Sequence, residues 1–294
     1  MARAIRNRGR RPRSVKGALH RQLGRALRKL GSKQALRDLA VHEARKELKH
    51  ARASLRLLRD WIGEATYSEA NQRIGNAARA LSPVRDARVL LDVVAKLRSG
   101  SKAAALRAEL DLLERNLSRD HQLVRHQLLK RRATIEEVRR TLRAVRAESR
   151  SWPAPSDESL SRAVKRIYRK SRNAFARAEA NRREEILHES RKQTKYLRSA
   201  LELLSPAANG SRIAKYTKRA KAIADALGDE HDLAMLRKKL PTRSRSRPAR
   251  QGLVRQIEDR RKKLQQKAIE RSRHFYRRKA KAFVDSLEAH DRQS

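Results

Sequence analysis

The sequence predicts an all-α protein of long up-and-down helices, made as two copies of one helical unit. Three observations predict it. Apolar residues make up 38% of the 294 positions and are mostly Ala and Leu, aromatics only 3% and charged residues 37%, with 10 Gly and 7 Pro; that profile suits a helical bundle and leaves little for a sheet. Apolar side chains recur at the spacing of a helix face through segment after segment. The stretch VHEARKELKHARASLRLL, Val41 to Leu58, returns 146 positions later as LHESRKQTKYLRSALELL, Leu187 to Leu204, with nine of eighteen positions identical.

Taken in order, residues 1–14 carry six Arg and no acid, and are expected to form a disordered basic tail. Leu19, Leu23, Leu27 and Leu30 mark a first amphipathic helix from Val15 to Leu30, ended by Gly31. Ser32 caps a long helix that holds the first copy of the repeat and runs to about Ile62. A third helix is expected from Ser68 to Leu81, and Ser82-Pro83 then predicts a restart or a bend, because proline suits a first turn and kinks an interior. Helix continues to Leu97, Ser99-Gly100-Ser101 makes a turn, and Lys102 to Ser149 reads as one very long helix or a broken pair. SWPAPSD, Ser151 to Asp157, interrupts the rhythm with two prolines and is the best boundary. Beyond it the first half is repeated: a helix from Leu160 to Glu179, the second copy from Arg183 to Leu204, a loop at Pro206 to Gly210 and a helix from Ile213 to Leu240. A basic loop, PTRSRSRPAR (241–250), and a last helix from Gly252 to about His290 complete the chain. The expected organisation is a single domain over 15–294, with repeats at 15–150 and 159–290 joined by a linker at 151–158.

The repeat carries the chemistry. At about 100° per residue, His42, Arg45, Lys46, Lys49, Arg52 and Arg56 share one stripe, and Val41, Ala44, Leu48, Ala51, Leu55 and Leu58 lie opposite. The second copy keeps His188, Arg191, Lys192, Lys195 and Arg198. Solvated helices usually alternate signs for i,i+4 support, so a cationic stripe without carboxylates on its midline gives up stability unless an anionic partner compensates. Arg offers a planar fork to phosphate oxygens, Lys a mobile point charge, and His a donor that depends on pH. The echo extends further at the same offset, matching Leu81 with Leu227, Asp86 with Asp232, Leu90 with Leu236, Arg73 with Arg219 and Arg85 with His231. A gapless offset over some fifty residues means a duplicated unit, and two units packed about a pseudo-twofold axis would bring both stripes to one surface.

Composition and motifs exclude several functions. Formal charge is +44, from 76 Lys and Arg against 32 Asp and Glu, so polyanions are the natural partners. The chain has no Cys, hence no disulfide frame or thiolate chemistry; a cytoplasmic location is expected, with no secretory signal and no membrane span. His42-Glu43 and His188-Glu189 begin like H-E-x-x-H, but Lys46 and Lys192 stand at the second His position and would repel a metal. A metal site built from His42, His188 and His231 is the weaker alternative. Asp86 and Asp232 are read as partners that orient neighbouring cations more than as general bases. His20, His50, His121, His126, His274 and His290 have no echo and are read as surface or packing residues. No phosphate-binding Gly-rich loop or nucleophile elbow occurs, and no cofactor is expected.

The duplicated His-x-x-Arg-Lys-x-x-Lys-x-x-Arg helix, followed by L-x-x-x-R-D (Leu81 to Asp86) or L-G-x-x-H-D (Leu227 to Asp232), resembles the CHAD family of histidine-bearing α-helical domains. The resemblance covers residues 15–290. It implies two four-helix bundles related by a pseudo-twofold axis, with a central basic surface that binds inorganic polyphosphate, and association with polyphosphate granules. By that resemblance the binding residues are His42, Arg45, Lys46, Lys49 and Arg52 with His188, Arg191, Lys192, Lys195 and Arg198, followed in rank by Arg73, Arg85, Arg219 and His231. The chain departs from the family pattern at Ser82-Pro83, where Gly is usual, and Glu202 is aligned with Arg56. The E-x-E-x-K element of the triphosphatase domain often joined to this family is absent from this sequence, so the expected activity is binding without catalysis. The alternative is a nucleic-acid-binding or packaging protein that uses the same charge, although three Phe, five Tyr and two Trp offer few stacking platforms for bases.

Overall fold

The computed structural model describes residues 15–31, 38–100, 103–130, 132–153, 157–204, 212–241 and 246–288, and these form eleven helices and no strand. They are α1 (Val15–Gly31), α2 (Asp38–Ile62), α3 (Glu64–Ala80), α4 (Ser82–Ser99), α5 (Ala104–Lys130), α6 (Arg132–Glu148), α7 (Asp157–Ala180), α8 (Glu184–Leu204), α9 (Arg212–Lys238), α10 (Arg247–Tyr276) and α11 (Ala280–Glu288). The basic tail, the Ser32 cap and the loop at 206–210 lie outside the described residues. None of the described helices is long and apolar enough to cross a membrane.

Local chemistry explains the helix ends. Gly63 turns the chain at φ 78°, and its carbonyl accepts from the Tyr67 amide at 3.0 Å, so α3 starts at Glu64, four residues before the expected Ser68. Only glycine takes that left-handed backbone cheaply. Leu81, at φ −93° and ψ 0°, separates α3 from α4, and Pro83 sits in the first turn of α4. The sequence left a restart or a bend open at this point, and the chain restarts. In the second repeat the equivalent stretch, with Gly228-Asp229 in place of Ser82-Pro83, runs through α9 unbroken.

Both ends of α10 also differ from expectation. Helix α10 begins at Arg247, inside the segment expected to be a basic loop, because the Ser246 side chain accepts from the Ala249 amide and Pro248 occupies the first turn. It also stops at Tyr276 instead of running to His290. There the Tyr168 hydroxyl donates to the carbonyls of Phe275 (3.4 Å) and Arg278 (3.0 Å), and Arg172 Nε donates to that of Tyr276 at 3.0 Å. The orphan carbonyls of a helix end are thus satisfied by α7, and α11 folds back onto α7.

Three sets of four neighbouring helices organise the packing. In the first, α1, α2, α3 and α6 meet side by side; in the second, α7, α8, α9 and α10 do so; in the third, α4 and α5 pack against α9 and α10. The first two sets share one continuous core, with Leu19, Leu48, Leu55, Ile74 and Leu142 on one side and Tyr168, Leu197, Ile223 and Phe283 on the other. Six of the ten aromatics gather in and beside the second set, where Tyr168 stacks on Phe283 of α11 at 3.9 Å between centroids and Phe175, Tyr216, Phe275 and Tyr276 surround them. The third set has its own core of Leu90, Val94 and Leu97 from α4, Leu110, Leu113 and Leu117 from α5, Leu233, Leu236 and Leu240 at the end of α9, and Leu253 and Ile257 from α10. Helices α2 and α8, which carry the two copies of the repeat, touch each other, and α2 also touches α7.

Candidate functional site

Where α2 and α8 meet, a cleft of about 910 Å³ opens between the two repeats. The i, i+3, i+4, i+7 spacing on α2 turns His42, Arg45, Lys46, Lys49 and Arg52 into it, and α8 contributes His188, Arg191, Lys195 and Arg198. His231 on α9 joins them. Ten of the fourteen sequence-predicted residues therefore line one cavity.

Four others are placed differently. Lys192 pairs with Glu189 and Arg219 lies 5.9 Å from the Tyr216 ring, both off the cleft lining. Arg73 pairs with Glu148 at 2.7 Å and Glu69 at 3.3 Å, tying α3 to α6. Arg85 occupies a turn of α4, and its side chain is outside the described set. Arg56, counted in the stripe from periodicity, is half-buried: its guanidinium sits 3.4 Å over the Tyr196 ring and donates to the Arg52 carbonyl at 2.8 Å. It clasps α2 to α8 across the repeats instead of lining the cleft.

The arginines are held and Lys46 projects. Arg45 Nη1 donates to the Ala78 carbonyl at 2.9 Å, and Arg52 Nε to Asn71 Oδ1 at 3.0 Å, both on α3. Arg198 Nε bonds Glu202 at 2.7 Å, with Asp225 4.0 Å away. Arg191 lies along Gly228, where a Cβ would be 3.6 Å from its guanidinium. Lys46 is exposed and only 3.9 Å from Glu43. Planar forks fixed in this way are pre-organised for phosphate oxygens, and flexible ammonium groups can follow a chain.

The histidines of the second copy are crowded by charge. The rings of His188 and His231 lie 4.7 Å apart. Burial pushes His231 down to about 4, and Arg191, His188 and Lys195 add to that, against a small opposing effect of Glu184. Burial also lowers His188, reinforced by Arg191, Lys192 and Lys195 and opposed by Glu189. Both are poised to gain a proton when anionic charge enters. Among the described residues no three His, Asp or Glu side chains come together as a metal-holding group, the trio His42, His188 and His231 included.

Several lining residues escaped the sequence reading. The sequence reads His50 as surface or packing, yet it lines the cleft beside Lys49, and burial and Lys49 lower its pKa against Glu202 and Glu47. Its repeat-equivalent, Tyr196, lines the cleft too, so the 146-residue offset was an available signal. The rest of the lining comes from α4, α5 and α9, with Leu90, Leu117, Leu123, Val124 and Met235, and Asp86, Asp120 and Asp232 among them. Lys239 stands there as well, 3.5 Å from Asp120.

Residues 17–241 match the model of the CHAD domain. No curated protein sequence matches the chain. Among solved structures, PptA from Streptomyces chartreusis is similar with a TM-score of 0.59 at 16% identity, over 90% of this chain and 96% of that one. The CHAD domain from the plant Ricinus communis is similar with a TM-score of 0.58 at 20% identity, over 95% of this chain and 92% of its own. At these identities the likeness is one of fold.

Proposed function

Because the chain belongs to the CHAD domain family, we propose that its inter-repeat cleft binds inorganic polyphosphate without turning it over, and that this binding can attach the protein to polyphosphate granules. One observation carries the reading: two stripes 146 residues apart in sequence converge on the same cavity, so Arg45, Lys46, Lys49 and Arg52 face a ligand together with Arg191, Lys195 and Arg198. Fixed guanidinium groups would take phosphate oxygens by charge-assisted hydrogen bonds, mobile lysines would follow successive phosphates, and released counterions would favour long chains.

The test is a competition titration at about 150 mM salt, where exposed charges are screened beyond roughly 8 Å. Labelled long-chain polyphosphate is challenged with duplex DNA and RNA, using wild type, a Lys49→Glu, Lys195→Glu variant of the cleft, and Lys192→Glu as an off-cleft control of the same chemistry. The expected result is that polyphosphate outcompetes nucleic acid per charge, that the double variant loses affinity by at least about tenfold, roughly 1.4 kcal/mol, and that Lys192→Glu changes little. Equal competition by DNA, with losses proportional only to charge removed, would replace this reading with nucleic-acid packaging through the general +44.

A further inference from the structure

The cleft has two unlike walls. One, from α2 and α8, is cationic; the other, from α4, α5 and α9, holds Leu90, Leu117, Leu123, Val124 and Met235 together with His231 and Lys239. Among the described residues three large apolar side chains are exposed, and two of them, Leu123 at 56% and Met235 at 38%, are on this wall. Asp86, Asp120, Asp232 and Gln127 are interspersed with them, and Asp86 and Asp232 are equivalent positions of the two repeats.

A purely inorganic chain has no use for such a wall. Every phosphate carries anionic oxygens, which gain nothing against Leu and Met and are repelled by carboxylates at close range. Exposed apolar groups cost free energy until something covers them. At about 910 Å³ the cavity is within the size range of sites for small organic ligands, and methionine supplies an adaptable surface for a flat one. Carboxylates and a side-chain amide beside it offer acceptors for hydroxyl and amino donors.

Resting on the polyphosphate reading of the cationic wall, we propose that this cleft also binds nucleoside polyphosphates, specifically those whose base carries an exocyclic amine. The phosphate chain lies along Arg45, Lys49, Arg191 and Lys195. The base covers Leu123 and Met235, and Asp86 and Asp232 accept from the amine and the ribose hydroxyls. Charge complementarity sets the orientation, since reversal would put phosphate against Asp86 and Asp232 and take it away from the guanidinium groups.

The experiment compares adenosine 5′-tetraphosphate with inorganic tetraphosphate by calorimetric titration of the full chain at about 150 mM salt. Esterification removes one ionisable oxygen, so charge alone predicts weaker binding by the nucleotide. The expected result is the reverse, with the nucleotide bound about tenfold more tightly. A Leu123→Ala, Met235→Ala variant, its helical content checked by circular dichroism, should bring the nucleotide to the inorganic level and leave inorganic tetraphosphate unchanged. The inosine analogue, which lacks the amine, should bind several-fold more weakly than the adenosine compound to wild type and equally to Asp86→Asn, Asp232→Asn. If inorganic tetraphosphate binds and the nucleoside adds nothing, or if the apolar variant weakens both ligands alike, this inference falls and the polyphosphate reading stands. If neither ligand nor long-chain polyphosphate binds in a way that Lys49→Glu, Lys195→Glu alters, both fall together.

Discussion

At the scale of single residues, the pair His188 and His231 sets the pH response. Both titrate below an ordinary imidazole in the free protein, His231 at about 4. Because the fold favours their neutral forms, their contribution to stability is complete above the unfolded value of about 6.5 and is lost as pH falls toward the folded value. A polyanion reverses the balance by raising both, so binding takes up protons and affinity rises as pH falls from about 7 toward 5. This window reaches below the ordinary imidazole range, because burial and the neighbouring Arg191 act together. Calorimetry near pH 6 in buffers of different ionisation enthalpy should register the uptake, and a His188→Asn, His231→Asn variant should reduce it, leaving the share of His50 in the same cleft; identical heats in all buffers would remove the histidines from the mechanism. Here sequence and structure part in a definite way. Periodicity could align His188 with His42, but only the packing of α8 on α9 puts His231 beside one of them.

At the scale of helices, some boundaries were readable in local chemistry, others written there were misread, and those written in tertiary contacts were not readable. Pro83 announced the division of α3 from α4. The run Arg-Ser-Arg-Ser-Arg-Pro read as loop by charge and proline content, yet its Ser246 and Pro248 are a good cap and a good first turn for α10. Nothing in Arg277-Arg278-Lys279 signals the gap between α10 and α11, which depends on Tyr168 and Arg172 reaching across from α7. The same junction yields a prediction. Tyr276 is buried, and its hydroxyl lies 2.6 Å from that of Ser171 and 3.0 Å from that of Thr194, binding α10 to α7 and α8. Burial pushes its pKa up to about 12, against the two hydroxyl contacts. Tyr276→Phe should cost about 1–3 kcal/mol, read from urea unfolding, by leaving two buried hydroxyls short of a partner. No measurable loss would mean that Ser171 and Thr194 satisfy each other.

At the scale of the whole molecule, charge and topology pull in opposite directions. A formal +44 loads the folded state with self-repulsion. Melting temperature should therefore climb as salt is raised from about 50 to about 500 mM, and long-chain polyphosphate at low salt should raise it further by binding the native state alone; a flat response in scanning fluorimetry would show that the basic surface is already neutralised within the fold. The duplication, the all-α class and most of the cationic wall were legible in the sequence, because each repeats with helical period. The apolar wall was not, since Leu117, Leu123 and Met235 look like ordinary core positions until α5 is seen packing beside α4 and near the end of α9. That third core also gives the chain an unusual divisibility. Helices α4 and α5 precede the proline-rich junction and α9 and α10 follow it, so each half holds one part of a shared seam. Two fragments separated between Pro153 and Asp157 should be individually sticky and poorly soluble, yet reassemble when coexpressed into a one-to-one complex, with the ligand cleft restored only at the moment the halves clasp.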